Sequence, residues 1–223
     1  MYIVDITGPI HNGMWNYGDP FPEFSLTPIE SPEWVPYEVV GDIFTGLHSQ
    51  TGTYFETPGH FPAAGINYTV DQIPFSDLID LSTHVIRLQR PMETSVRDPI
   101  TAKDIRQALD HYGTISPGET ILIDTGWGKY WRDSFFLECP YFTYDGFQLL
   151  LDLKPRILGT DFPRWENSEQ MQHIFPDFYA QDIWMLNPLI NLDKIESKGL
   201  LSVLPLNVEN SCCVPCRAFV KCD

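Results

Sequence analysis

The chain alternates between short apolar runs and long stretches rich in proline, glycine and aromatic residues. Seven runs are short, apolar and bounded by Gly, Pro or Asp, as buried strands usually are. These predicted strands are Tyr2–Ile6, His84–Gln89, Thr120–Gly126, Arg156–Phe162, Asp182–Leu186, Leu200–Leu206 and Cys216–Val220. The segment Gly8–Phe24 holds prolines and glycines so placed that it cannot form a helix, and we expect a long loop there.

Two helices are predicted between these strands. The first spans Thr101–Gly113 and begins with a capping-box-like arrangement of Thr101 and Asp104. Its apolar face has the spacing i, i+3, i+4, i+7 and consists of Ile105, Ala108, Leu109 and Tyr112. A shorter helix is predicted over Tyr144–Leu153. Because strands outnumber helices, the sequence predicts a single mixed α/β domain over residues 1–223, with few helices and long aromatic loops.

Length and charge narrow the classes of partner. The chain has 223 residues and a net charge of −16, with 14 Lys and Arg against 30 Asp and Glu. Nucleic acids and anionic membrane surfaces are bound through clustered cations, and the sequence has no such cluster. No apolar run approaches the roughly 18 residues of a membrane span, and no basic segment precedes an apolar one as in a secretory signal. We therefore expect a cytoplasmic protein whose partners are small molecules, metal ions and other copies of the chain.

Four of the five cysteines lie close together in the last predicted strand region. An odd count without a secretory signal indicates free thiols in a reducing compartment. Cys213 and Cys216 form a C-x-x-C pair, but a structural zinc needs four ligands. The favoured interpretation is that these are small, semi-buried residues of a strand, and a redox or metal role is the alternative.

The densest cluster of reactive side chains is the stretch HSQTGTYFETPGH, residues 48–60. Its Gly and Pro residues indicate irregular or edge backbone. Four polar residues have even spacing, which puts side chains on one side of an extended segment; they are Gln50, Tyr54, Glu56 and His60. Glu and His are ordinary ligands of Zn²⁺ and Mn²⁺, whereas an amide oxygen and a phenol are weaker ones. The pattern indicates either a metal or catalytic site or a structural histidine in a loop.

This stretch and several others resemble, in the same order along the chain, the signature segments of the cyclase family. These are metal-dependent hydrolases that include bacterial kynurenine formamidase and isatin hydrolase. QTGTYFETPGHF resembles the family signature H-x-G-T-H-x-D-x-P-x-H, and Gly52, Thr53, Pro58 and His60 match it directly. ISPGETILIDTGW, ILGTDFP, NPLINLDKI and VPCRAFV resemble later family segments. The resemblance implies a swivelling β/β/α fold, usually assembled as a homodimer or homotetramer.

The resemblance also implies site residues. It places Gln50, Tyr54 and Glu56 at the family's metal-binding positions and His60 at its proton-transfer position. Two of these positions are histidines in the family, so the set here is richer in oxygen and better suited to a harder ion than Zn²⁺. A divalent metal, Mn²⁺ or Zn²⁺, is the expected cofactor, held in a remodelled pocket.

Further residues are expected around this pocket. The resemblance makes His173 the candidate for a later family histidine, and it puts Asn187 where the family has a glutamate. Trp15 and Tyr17 lie in a loop that the resemblance places around the pocket, and aromatic walls suit a planar substrate.

Asp161 follows an apolar strand, where polar residues often point into a cleft. The alternative is that it caps the next turn. Arg164, three residues later, is expected to pair either with an acidic substrate or with Glu166.

The leading hypothesis is a hydrolase that cleaves an amide, lactam or lactone bond of a small cyclic or aromatic molecule. A metal around Glu56 would polarise the carbonyl, His60 would move the proton, and His173 would assist. The alternative is a non-catalytic relative whose metal-free pocket binds a small ligand, or an assembly subunit. A third hypothesis, a thiol function, requires Cys213 and Cys216 to face a cleft.

Overall fold

The computed structural model of the protein describes residues 1–88, 97–110 and 112–223. The strands in these ranges are β1 Tyr2–Asp5, β2 Ser25–Ile29, β3 Gly41–Thr45, β4 Tyr54–Glu56, β5 Leu81–Arg87, β6 Pro99–Ile100, β7 Thr120–Asp124, β8 Tyr141–Phe142, β9 Ile157–Thr160, β10 Trp184–Asn187, β11 Lys198–Pro205 and β12 Cys213–Cys222. The α-helices in the same ranges are α1 Ala102–Leu109, α2 Tyr144–Leu151 and α3 Phe175–Ala180. None of the helices in the described ranges is long and apolar enough to cross a membrane.

Seven strands close into a barrel-like sheet in the order β12, β11, β5, β7, β9, β10, β4, and β4 then pairs again with β12. The run β5, β7, β9, β10 is parallel, and the remaining pairs of the barrel are antiparallel. β12 closes the barrel because it is long: residues 213–215 pair with β4, residues 216–221 with β11, and residues 219–222 with β1.

Alternate side chains of the barrel strands enter two different cores. Leu122 of β7 packs in a core to which all seven barrel strands contribute, whereas Ile121 and Ile123 pack against the helices. This period of two follows from the pleat of a strand, and strands buried on both faces read as continuous apolar runs. The helix-side core is rich in large aromatics, among them Phe147, Trp165 and Phe178. The residues of the candidate site belong to this outer side of the barrel.

The structure confirms the predicted mixed α/β fold with few helices. All seven predicted strands and both predicted helices are present, although α1 and α2 end earlier than their patterns. Thr101 and Asp104 form the predicted capping box, in which the Thr101 N–H donates to Asp104 Oδ2 at 2.8 Å. Gln89 and His111, at the margins of two predicted elements, lie outside the described residues.

The pattern did not predict β4, α3, the two-residue strands β6 and β8, or the β2–β3 pair. β4 has three residues and α3 has six, too few to show a period. β2 and β3 form a separate two-stranded ribbon whose Ile29, Ile43 and Phe44 are exposed. Such a ribbon is marginally stable alone, and exposed apolar surface of this kind marks interfaces. The expected homodimer or homotetramer stays a prediction.

Candidate functional site

β4 turns the key side chains to the outside of the barrel. Phe55 points into the strand-lined core, so its neighbours Tyr54 and Glu56 point the opposite way, towards α3. Residues 58–60 then form one turn of 3₁₀ helix, with the His60 N–H donating to the Thr57 carbonyl at 3.0 Å. This turn returns the chain over β4 and brings His60 Nδ1 to 3.6 Å from Glu56 Oε2.

A cavity of about 350 Å³ opens at this point. Six of the nine residues predicted for the site line it: Tyr17, Gln50, Tyr54, Glu56, His60 and Asn187. They come from the N-terminal loop, the loop before β4, β4 itself, the turn after it, and the end of β10. The structure therefore brings together residues that lie up to 170 positions apart in sequence.

Glu56 lies at the centre of a hydrogen-bond network. Its side chain is 1% exposed, Oε1 accepts from the Tyr179 hydroxyl, and Oε2 accepts from Gln50 Nε2 at 3.3 Å. The Cys213 thiol is a further hydrogen-bonding neighbour. Burial raises the pKa of Glu56, and the charge of His60 and the donated hydrogen bonds oppose that rise. A buried carboxyl is thus held beside a half-exposed imidazole.

Two neutral phenols form another part of the wall. The Tyr17 hydroxyl donates to the Pro163 carbonyl at 3.0 Å and lies 3.3 Å from the Tyr54 hydroxyl, which therefore donates to it. Burial raises the pKa of Tyr54 well above its ordinary value, and the nearby Tyr17 and Glu56 add to the rise. Both phenols accordingly keep their protons at neutral pH and act as hydrogen-bond donors.

The residues present do not fit a catalytic divalent metal. A hydrolytic zinc needs about three strong protein ligands, and the described residues contain no group of three His, Cys, Asp or Glu side chains that could hold an ion. Both oxygens of Glu56 already accept hydrogen bonds, and the Tyr54 phenol is neutral. Gln50, Tyr54 and Glu56 do line one cavity as the metal prediction required, but Gln50 donates to Glu56 and the Tyr54 hydroxyl is bonded to Tyr17.

Asn187 lines the cavity with its polar atoms already engaged. Its Nδ2 donates to the Pro163 carbonyl at 3.1 Å. Its Oδ1 accepts from the Thr160 hydroxyl at 2.6 Å and from Trp165 Nε1 at 3.3 Å. The amide thus holds the loop after β9 in place, and its predicted contact with a substrate stays a prediction.

The structure places the other three predicted residues outside this cavity. Asp161 lines a separate cavity and accepts from the N–H groups of Thr125 and Gly128, at 3.1 and 3.2 Å, so it caps the turn after β7 and not the next turn along the chain. His173 is exposed, in a left-handed backbone conformation before α3. Trp15 packs edge-on against Tyr17 at 5.4 Å and supports the wall from behind. None of the three lines this cavity, so the structure brings six of the nine predicted residues together and the roles expected of the other three stay predictions.

Sequence reasoning missed Tyr179, which belongs to α3. The helix begins with Phe175–Pro176, a proline position typical of a first turn, and ends after one and a half turns. No sequence signal connects residue 179 with residue 56, because the contact spans 123 positions and depends on how α3 packs on the barrel. Only the aromatic composition of the segment gave any sign.

Comparisons with known proteins identify a family and a fold. The Cyclase family model, described as "Putative cyclase", matches residues 4–167. An isatin hydrolase bound to the product analogue thioisatinate has a TM-score of 0.82 and 23% identity, over 98% of this chain and 91% of its own. Isatin hydrolase A from Labrenzia aggregata, bound to benzyl benzoate, has 0.81 and 21%, over 98% and 93%. A protein from Bacillus stearothermophilus described as a predicted metal-dependent hydrolase has 0.74 and 22%, over 98% and 97%.

At these identities the solved structures show a shared fold. They confirm the predicted cyclase-like architecture. The comparison with curated proteins gives no match.

Proposed function

The chain belongs to the cyclase family, and on that premise we propose that it hydrolyses an amide, lactam or lactone bond of a small cyclic or aromatic molecule. In this proposal His60 moves the proton and Glu56 stabilises the protonated imidazole, without a metal ion. The names of the structural relatives, isatin hydrolase and metal-dependent hydrolase, support the hydrolytic chemistry. The donor set around Glu56 is the reason to propose that this chain works without the ion.

One observation carries the proposal. A fully buried carboxyl with a raised pKa lies 3.6 Å from a half-exposed imidazole on the wall of a cavity of ligand size. A carboxylate held beside an imidazole stabilises the imidazolium that forms when the imidazole acts as a general base. A purely structural Glu would more usually be exposed or paired with Arg or Lys.

The reaction needs one water molecule and returns every proton. His60 removes a proton from the water as it attacks the carbonyl carbon, and ionised Glu56 stabilises the imidazolium that forms. The Tyr54 hydroxyl turns from Tyr17 to donate to the oxyanion. When the C–N or C–O bond breaks, His60 gives its proton to the leaving nitrogen or oxygen. The products are a carboxylic acid and an amine or alcohol.

A second candidate function is non-catalytic binding of a small ligand. The observation in its favour is that Glu56 and Asn187 already find hydrogen-bond partners inside the protein. Such a network gives a stable pocket that requires no chemistry from these residues.

The test compares metal-stripped and metal-loaded protein. Protein dialysed against a chelator is assayed with isatin, aromatic formamides and small aromatic lactones, and then again after addition of Mn²⁺ or Zn²⁺. We expect turnover to survive the chelator and to fall by about 100-fold or more in His60→Ala, as for the loss of a general acid–base group. Turnover that appears only with added metal would refute the metal-free chemistry.

His48→Ala is the matched control. His48 lies in the same segment but stacks on Phe21, with ring centroids 4.6 Å apart, and does not line the cavity. We expect its variant to keep full turnover. Saturable binding of panel compounds without turnover by any form of the protein would support the second candidate.

A further inference from the structure

We propose that a second cavity, at the carboxyl ends of β7 and β9, binds the phosphate group of a small molecule. Its volume is about 460 Å³, and none of its lining residues belongs to the cavity around Glu56. The inference goes beyond the proposed function, because it concerns a different ligand at a different place in the fold.

The second cavity lies where two parallel strands end. Asp124 is the last residue of β7 and Asp161 directly follows β9, and both line the cavity. Pro9, from the loop after β1, and residues 190–194, from the loop after β10, line it as well. Ligands of α/β proteins commonly bind at the carboxyl ends of parallel strands, where the loops carry the binding residues. The volume is that of a small-molecule site.

Three basic side chains line the second cavity: Lys129, Arg132 and Lys194. All three residues are exposed, and none of them forms an ion pair with a carboxylate of the described residues. The whole chain has a net charge of −16, and its first 86 residues contain neither Lys nor Arg. Against that background, three unpaired cations at one cavity produce a local positive field that attracts an anion.

The turn after β7 places two of these cations beside the third. Asp161 accepts from the N–H groups of Thr125 and Gly128, at 3.1 and 3.2 Å, and so fixes the backbone directly before Lys129. Gly128 has no room for a side chain, because a Cβ there would lie 2.8 Å from the Leu189 carbonyl oxygen. The turn therefore packs directly against the loop after β10, which carries the third cation.

The acidic groups of the second cavity only partly offset the cations. Asp124 Oδ2 accepts from Arg87 Nε at 2.7 Å, so its charge is compensated. Burial and the neighbouring Asp124 raise the pKa of Asp161 to about 7, so about half of these carboxyls are uncharged at neutral pH. Asp193 is exposed and is the remaining carboxylate that lines the cavity. The cations therefore outnumber the uncompensated carboxylates.

The number of cations defines the class of ligand. A carboxylate carries one charge and is matched by a single guanidinium, whereas a phosphate monoester carries about −1.5 to −2 charges at pH 7 and has several acceptor oxygens. Lys129 and Arg132 come from one loop and Lys194 from another, so the anion is approached from two segments. Lys and Arg are both established types of phosphate ligand in proteins.

The test measures binding of four probes by isothermal titration calorimetry, at constant ionic strength and in a buffer without phosphate or sulfate. The probes are inorganic phosphate, glycerol 3-phosphate, acetate and glycerol. We expect both phosphates to bind at least about tenfold more tightly than acetate, since they make more charge-assisted hydrogen bonds, and glycerol not to bind.

The comparison of the two phosphates identifies the source of the group. Tighter binding of glycerol 3-phosphate means that the ligand is an ester, and equal affinities mean that it is the phosphate ion; both results support the site. No saturable binding of either phosphate, or acetate binding as tightly as they do, would overturn the inference.

A charge-matched pair of triple variants locates the bound anion. Lys129→Gln, Arg132→Gln and Lys194→Gln together should weaken both phosphates by about 100-fold or more, and each alone by about fivefold to tenfold. The control combines Lys103→Gln, Arg106→Gln and Lys154→Gln, which remove the same charges from exposed positions that do not line the second cavity. It should keep both affinities within about twofold. Equal losses in the two triple variants would mean that only net charge matters and would overturn the inference.

Arg164 provides the check against binding in the first cavity. It lines the cavity around Glu56, and within the described part of the chain the predicted pair with Glu166 is absent. Arg164→Gln should leave the affinity for both phosphates within about twofold. A large loss there, in place of the loss in the first triple variant, would put the anion in the first cavity and overturn the inference. Because these measurements need no turnover, their outcome is independent of the hydrolytic proposal.

Discussion

Glu56 and Asp161 are two buried carboxylates that differ in what surrounds them. Their residues are 1% and 2% exposed, and burial raises the pKa of each. The partners of Glu56 are side chains: Tyr179, Gln50 and the imidazole of His60. The partners of Asp161 are the main-chain N–H groups of two residues and one hydroxyl, that of Thr125 at 2.7 Å.

The difference shows that burial and a raised pKa do not identify a reactive group by themselves. A main-chain N–H cannot exchange its proton in a reaction cycle, so the cradle of Asp161 serves to fix the turn after β7. An imidazole and a phenol do exchange protons, and the imidazole of His60 lies half-exposed at the wall of the cavity. Under the proposed function, the chemistry of the partner separates the carboxylate that takes part in the reaction from the one that holds a turn.

The strongest test of this comparison is loss of each carboxylate in turn. Glu56→Gln should lower kcat/KM about 100-fold to 1,000-fold, because an amide cannot stabilise the imidazolium of His60. Asp161→Asn should leave kcat/KM within about threefold, since Asp161 does not line the cavity. Steady-state kinetics with the best substrate of the panel measure both. Similar losses in the two variants would mean that the two carboxylates act together.

The free energy of unfolding should show the opposite order, with a larger loss when Asp161 is replaced than when Glu56 is replaced. Asp161→Ala leaves three donors without their acceptor, and we expect a loss of about 2–4 kcal/mol in the free energy of unfolding. Glu56→Gln keeps an acceptor for Tyr179 and should change it by less than about 1 kcal/mol. Urea denaturation at neutral pH measures both values. A larger loss for Glu56→Gln would reverse the assignment of structural and reactive roles.

The pH dependence of stability gives a further distinction. Burial and the neighbouring Asp124 raise the pKa of Asp161 from 3.8 to about 7. The native state therefore holds a proton that the unfolded state has lost, and this contribution to stability is present at low pH and lost as pH rises from about 4 to about 7. Asp161→Asn should remove this contribution. The difference between the free energies of unfolding of wild type and variant should therefore decrease as the pH rises from about 4 to about 7. Urea midpoints measured at several pH values test this, and a difference that stays constant would contradict the raised pKa.

The smallest expected effect concerns the hydrogen bond from Tyr179. Tyr179→Phe removes a donor to Glu56, which makes the ionised carboxylate less stable and raises its pKa further. The acid limb of the pH–rate profile should move to higher pH by about one unit, with little change on the plateau. Tyr144→Phe is the control, because its hydroxyl donates to Asp177 and is exposed. A fall in the plateau without a shift of the limb would show that Tyr179 acts on the substrate instead.

The sequence predicted most strands of the barrel and part of the residues that line the cavity. Strands such as β7 are buried on both faces, so each appears in the sequence as a continuous apolar run. Even spacing places Tyr54 and Glu56 on one side of β4 as predicted, but Gln50 lies in a turn and His60 in a 3₁₀ turn, so the extended segment on which their prediction rested is absent. Both still line the cavity, because the loops on either side of β4 fold back over it. Short elements such as β4 and α3 have no measurable period, and their positions come from tertiary packing.

The parts of the site that could not be predicted are contacts between distant segments. The sequence does not distinguish the surroundings of Asp161 from those of Glu56. Only their hydrogen-bond partners in the structure do. His173 was expected at the site from a resemblance, but the chain before α3 holds it at an exposed position.

The position of β12 as the strand that closes the barrel has a consequence for biosynthesis. A ribosome delivers β12 after every other strand, so until then β4 and β11 each present an unpaired edge. The wall that carries Glu56 lacks its neighbour Cys213 for the same period. Until then the barrel is open and its free edges are exposed to edge-to-edge association. The barrel closes in a late step, when residues 213–222 leave the exit tunnel and pair with β4, β11 and β1.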